Sequence, residues 1–164
     1  MTQLQESSTK NAYLYIIKLL TKRDYSKYKL ANKLKTRGFS SNHIEEAIQE
    51  VEDKGYLREN EYAMSKAKSL MLKNNHPNLI ISKLSEENLF VSTQELDELF
   101  QEYRQTTRVQ IETIIEKKLR TTKLTPDLDF FSPSIQKIIR HCLSKGHDLD
   151  EVKETFSNIK NLSQ

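Results

Sequence analysis

Apolar residues return every three or four positions through most of the chain, which predicts helices almost throughout. Residues 1–9 are polar and are expected to be disordered. From Asn11 to Lys22 apolar residues crowd nearly every turn (Ala12, Tyr13, Leu14, Ile16, Ile17, Leu19, Leu20), as in a mostly buried helix. Thr21 to Leu57 then reads as two more helices around a Gly38-Phe39 turn. Ser26 is a candidate cap for the first, whose inward residues are Leu30, Ala31 and Leu34. Gly38 ends it where a left-handed residue is needed, and Phe39 folds back as the apolar contact of the cap. Ser40 or Ser41 opens the next helix, with Ile44, Ala47, Ile48 and Val51 on one face and Gly55 as its stop.

The same grammar continues. Asn60 is expected to cap a helix from Glu61 to about Lys73, and His76-Pro77 punctuates before Leu79, Ile80 and Leu84. The chain breaks at Asn88-Leu89, and Ser92 with Glu95 forms a capping box for a helix carrying Leu96, Leu99 and Phe100. A shift of fifty residues lays Leu34 on Leu84, Gly38 on Asn88 and Phe39 on Leu89. After two inserted residues, Ile44 meets Leu96, Ile48 meets Phe100 and Val51 meets Tyr103. A shift of 108 gives a third copy, with Leu34 on Cys142, Gly38 on Gly146, Ile44 on Val152 and Ile48 on Phe156. Ser132-Pro133 starts one of its helices, Asp148 and Glu151 box another, and Thr107 to about Leu119 supplies the leading one.

This pattern predicts an all-α fold of three tandem three-helix repeats forming an elongated, curved array, with modules at 10–58, 59–106 and 107–164. Two joints stay open. No Gly or Pro separates Tyr103 from Arg108, and residues 121–131 read as a long loop.

Composition narrows the class. Three Gly and three Pro in 164 residues leave little material for a turn-rich β fold. The longest apolar run, Ala12 to Ile17, is far too short to span a membrane, and the N-terminus lacks the pattern of a signal peptide. One cysteine excludes an internal disulfide. A soluble, cytoplasmic protein is expected.

The net charge of +3 says little, but its distribution says more. Lys18 to Arg37 holds eight Lys or Arg against one Asp, whereas Gly38 to Tyr62 holds seven acids against two bases. Residues 63–83 carry four Lys and no acid, and 84–103 carry six acids and no base. Such alternation serves either as electrostatic glue between helices or as a partner surface. Lys29, Lys33 and Arg37 form one ridge at four-residue spacing, with Lys22 and Arg23 nearby, and these five are the candidate binding residues. No catalytic, cofactor or metal site is expected. The glycines stand singly at helix ends rather than in a phosphate loop, no nucleophile elbow is present, and no cofactor is implied. His141, Cys142 and His147 are near in sequence but lack paired thiolates, and Cys142 aligns with core leucines.

The pattern Arg23, Ser26, Leu30, Lys33, Leu34, Gly38-Phe39, Ile44, Gly55, Leu57, Tyr62 and Ala63 resembles the RecX family of recombinase regulators, and the likeness extends over nearly the whole chain. The resemblance implies a non-enzymatic protein of DNA repair and recombination that lies along the RecA nucleoprotein filament and mainly inhibits its recombinase and co-protease activities. It leaves open direct contact with single- or double-stranded DNA, and a monomer is expected. Two alternatives compete. Leu30 to Leu57 also scans as a helix-turn-helix entering a wing, as in a winged-helix DNA-binding regulator, though Arg58 onward lacks strand patterning. A helical scaffold for an unrelated partner is the other.

Overall fold

The structure, a computed structural model, describes residues 7–122 and 130–162. Among them are nine α-helices and no strand: α1 (Thr9–Leu20), α2 (Lys27–Thr36), α3 (Ser41–Asp53), α4 (Glu59–Met71), α5 (Pro77–Ser85), α6 (Thr93–Glu102), α7 (Thr107–Thr122), α8 (Pro133–Ser144) and α9 (Leu149–Leu162). The all-α reading holds. No strand follows Gly55, where a winged helix needs its hairpin; α4 begins at Glu59 instead.

Local chemistry sets the boundaries. Ser26 accepts from the backbone N–H of Lys29, and Ser132 from that of Ile135 ahead of Pro133. Ser92 and Glu95 close the expected capping box. Asp148 Oδ1 accepts from the N–H groups of Asp150 and Glu151. Two starts differ from expectation. α1 begins two residues before Asn11 because Ser8 caps it, accepting from Asn11 N at 3.2 Å. Ser7, expected to be disordered, shares a 2.8 Å hydrogen bond with His43 and accepts one from Ser40 N at 3.0 Å. Residues 1–6 of that expected segment, and 123–129 of the expected loop, lie outside the described residues. Asn60 lies inside α4 rather than capping it.

Six helices end alike. In α2 the N–H of Gly38 bonds to the carbonyl of Lys35, and that of Phe39 to Leu34. This crossed pair closes around a left-handed residue and satisfies two carbonyls that the helix leaves open. Asn88 (φ 53°) does the same after α5, and Gly146 (φ 86°) after α8. At Gly146 a Cβ would also stand 2.9 Å from Leu79 Cβ, so space as well as φ demands glycine there. Arg104 (φ 50°) plays this part after α6 and settles the open joint: the helices do not run together. Thr106 then accepts from Val109 N and starts α7. Because α6 stops at Glu102, Tyr103 does not repeat buried Val51 but sits half-exposed with its ring 4.4 Å from Lys68 Nζ.

An L-residue in this region is strained by about 1–2 kcal/mol, while glycine costs about 0.5–1 kcal/mol in backbone entropy. Arg104→Gly is therefore expected to raise the unfolding free energy by up to about 1 kcal/mol. A lower urea midpoint for the variant would show that the Arg104 side chain contributes more than its strain costs.

The chain forms two compact units, one comprising Met1–Lys66 and Lys83–Val91, the other Ala67–Ser82 and Ser92–Gln164. These cut across the expected module boundaries, since α4 and α5 each contribute to both. In the first unit α1 and α2 pack on α3 around Ala12, Ile16, Leu30, Leu34, Ile44, Ala47 and Val51. In the second, α7, α8 and α9 enclose Ile111, Ile115, Ile135, Ile138, Cys142, Val152 and Phe156. Leu34, Leu84 and Cys142 are all buried, as the repeat register requires. At the second set of matched positions Phe100 and Phe156 are buried, but Ile48 is only partly so.

Polar groups lock the turn that ends α4. Fully buried Gln110 donates to the carbonyls of Met71 and Asn75, both at 3.2 Å. The ring of His147 bonds through Nε2 to the carbonyl of Asn74 at 2.9 Å. Burial lowers the His147 pKa below 6.5 despite that bond, and His76 and Lys145 push it the same way. The unfolded chain therefore takes up this proton first. Stability is expected to fall as pH drops below 6.5 and through the lower folded value. His147→Gln should flatten that part of a pH series of urea midpoints; an unchanged slope would assign the loss elsewhere.

Candidate partner-binding surface

Ser26 fixes where α2 starts, and so fixes its faces. Leu30 and Leu34 turn into the core, which leaves Lys29, Lys33 and Arg37 as a row along another face. Tyr25, in the link between α1 and α2, is buried. The Arg23 guanidinium lies 4.7 Å from its ring centre and Lys33 Nζ 5.6 Å. A hydrogen bond from Arg23 holds the Tyr25 phenol below its ordinary pKa, against the opposing effect of burial, and the charges of Arg23, Lys33 and Lys22 add to it. Two predicted residues thus converge on one ring, and the charge of Lys22 acts on it as well. Arg37, the C-cap residue that follows α2, lies 4.3 Å over Tyr15, which stacks on Phe39. Rings in such positions attract cations and hold them in place.

Lys29 does not join them. Its Nζ is 2.5 Å from Glu87, a carboxylate in the turn after α5 that is only 8% exposed. Lys66 binds the same oxygen, while Ser26 Oγ (3.4 Å) and Tyr62 OH (3.5 Å) donate to the other. Burial alone would raise the Glu87 pKa, but hydrogen bonds from Lys29 and Lys66 outweigh it and hold the value below 4.5. Lys27 is likewise paired, with Glu52 at 2.6 Å at the surface between α2 and α3. The charge alternation therefore acts as glue at Lys27 and Lys29. Among the described residues, Lys22, Arg23, Lys33 and Arg37 enter no ion pair and remain an outward cationic group.

Two features escaped the sequence reading. The aromatic seats of Tyr15 and Tyr25 depend on tertiary packing and left no spacing signal. Glu87 did leave one: the fifty-residue shift lays it on Arg37, so one copy carries an acid where another carries a base.

Residues 12–50 match the family model described as RecX, first three-helix domain, and all five candidate cations fall inside that span. Over most of its length the chain is also similar to regulatory proteins RecX. It is 28% identical to that of Haemophilus influenzae (strain PittEE) over 142 residues, 85% of this chain and 89% of the relative. To that of Legionella pneumophila (strain Corby) it is 26% identical, over 88% and 91% of the two chains. The likeness to RecX proteins thus runs well beyond the span of the domain model, over most of the chain. Two RecX crystal structures share the fold. That from Lactobacillus salivarius superposes with a TM-score of 0.64 at 18% identity, over 92% of this chain and 95% of that one. A second gives 0.63 at 15% identity, over 89% and 71%.

The relatives carry the name of regulatory proteins, and none of the described helices of this chain is long and apolar enough to cross a membrane. Cys142, weighed above as a metal ligand, is fully buried, and burial pushes its thiol up to about 11, so it packs as a small apolar residue. Glu87, with Lys66, lies outside the span that the RecX domain model matches. Its contribution to stability carries a pH signature. The carboxylate is favoured in the folded state, so that contribution is complete above 4.5 and is lost as pH falls through the lower folded value.

Proposed function

We propose that this protein is a non-enzymatic regulator that docks on the RecA–DNA filament and restrains strand exchange and co-protease activity. The observation that carries the reading is the cationic group of Lys22, Arg23, Lys33 and Arg37, three of them seated on aromatic rings inside the RecX-matched span. Cations held in place before contact lose little freedom on binding, which favours specific docking over loose adhesion. Acidic side chains of the filament protein are the main counterpart, with filament DNA as a secondary contact. The exposed acids of α3, Glu45 and Glu46 among them, disfavour close approach of bare DNA to this unit. The protein acts as a cytoplasmic monomer and needs no cofactor.

Co-sedimentation with RecA, in the presence and absence of DNA, tests this reading together with the DNA-dependent ATPase. The protein should pellet with assembled filaments and lower ATP turnover. If it stays in the supernatant and leaves turnover unchanged, the fold serves as a scaffold for a different protein partner.

A further inference from the structure

A second cationic surface lies in the other compact unit, on helices where the sequence reading placed no binding residues. Two clefts meet there along α7 and α8. One, of 310 Å³, has Lys73, Lys117, Lys118, His141 and Lys145 in its walls. The other, of 520 Å³, has Lys118, Lys137, Arg140 and His141. Lys118 and His141 belong to both, so the two clefts form one trough. Among the described residues no carboxylate lines it. Nor do Lys73, Lys117, Lys137 and Arg140 enter an ion pair with any described residue.

The spacing on α8 is regular. Lys137, Arg140 with His141, and Lys145 follow one another by about a turn, spreading positive charge along about 12 Å of helix. The gathered charge is felt locally: burial first, then Lys118 and Lys145, depress the pKa of His141. An anion in the trough relieves that repulsion.

We propose that this trough holds the phosphodiester backbone of a nucleic acid. Its lining argues against a protein partner. Centres of protein interfaces are poor in lysine and built on aromatic anchors, and this trough is rich in lysine with no aromatic ring but His141. The same lack of Phe, Tyr and Trp removes base stacking, so contact is with phosphates and independent of sequence. The trough does not depend on the filament reading above, because it can be probed with DNA alone.

The test is fluorescence anisotropy of a labelled oligothymidylate at low salt, with the full chain and no RecA. Lys117→Glu, Lys137→Glu and Arg140→Glu together should weaken binding at least about tenfold and reduce the slope of log K against log salt by about 2. Lys10→Glu and Lys35→Glu together, at exposed lysines outside both cationic groups, should weaken binding by clearly less than that tenfold. A second measurement needs no variant. Bound oligonucleotide should shield Lys117 and Lys137 of the unaltered protein from acetylation, read by mass spectrometry. Parental affinity in a folded trough variant, or absence of shielding, overturns the proposal. Shielding by polyglutamate but not by DNA overturns it too, and assigns the trough to an acidic protein.

Discussion

With Arg23, Lys33 and Arg37 changed to Glu, inhibition of the RecA ATPase is expected to disappear while the helical signal stays intact. Each exposed charge contributes modestly at an interface, about 1 kcal/mol, and three reversals together weaken docking by about 3 kcal/mol, over a hundredfold. None of the three lines the core of the first unit, so stability changes little. Lys29 gives the contrast. Although it shares their ridge in sequence, its partner is Glu87, so Lys29→Gln should lower stability and leave inhibition unchanged. Full inhibition by a folded triple variant would remove the aromatic-seated group from the mechanism. Loss of inhibition in Lys29→Gln, with its fold intact, would put Lys29 back into it.

Glu87→Ala is expected to cost about 3 kcal/mol, near the lower end of the range for breaking a buried ion pair. The carboxylate is nearly enclosed, and its removal leaves Lys66 without its counter-ion and Ser26 and Tyr62 without an acceptor. The figure stays at the lower end because the Lys29 side chain is 45% exposed and can turn to water. Urea unfolding at neutral pH measures this directly. A loss below about 1 kcal/mol would mean that the four donors are as well served by solvent. As pH falls below 4.5 and through the lower folded value, the difference between parent and variant should shrink, as the parent carboxylate takes up its proton.

Helices, caps and repeats were legible because each rests on a local rule. Ser26, Ser92 and Ser132 cap where their chemistry demands, and Leu34, Leu84 and Cys142 share a burial pattern that simple offsets reveal. The misses also had local origins. Ser8 was passed over because a polar start resembles a frayed one. Arg104 gave no warning because nothing in an arginine announces a left-handed conformation. The arrangement of the candidate cations was half legible. Four-residue spacing placed Lys29, Lys33 and Arg37 on one ridge, but helical spacing does not say which cation meets a distant acid. Only the fold brings Glu87 to Lys29 and Tyr25 to Arg23.

The Glu87 clasp also bears on the order in which the first unit forms. Its partners stand far away along the chain, Ser26 by 61 positions and Lys66 by 21, whereas the helix caps close over a few residues. Long loops close late and local turns early. The capped helices and the α1–α3 core are thus expected in the folding transition state before the clasp engages. Removing the carboxylate then leaves the refolding rate almost untouched and speeds unfolding, so that Glu87 sets how long the folded unit lasts rather than how quickly it appears.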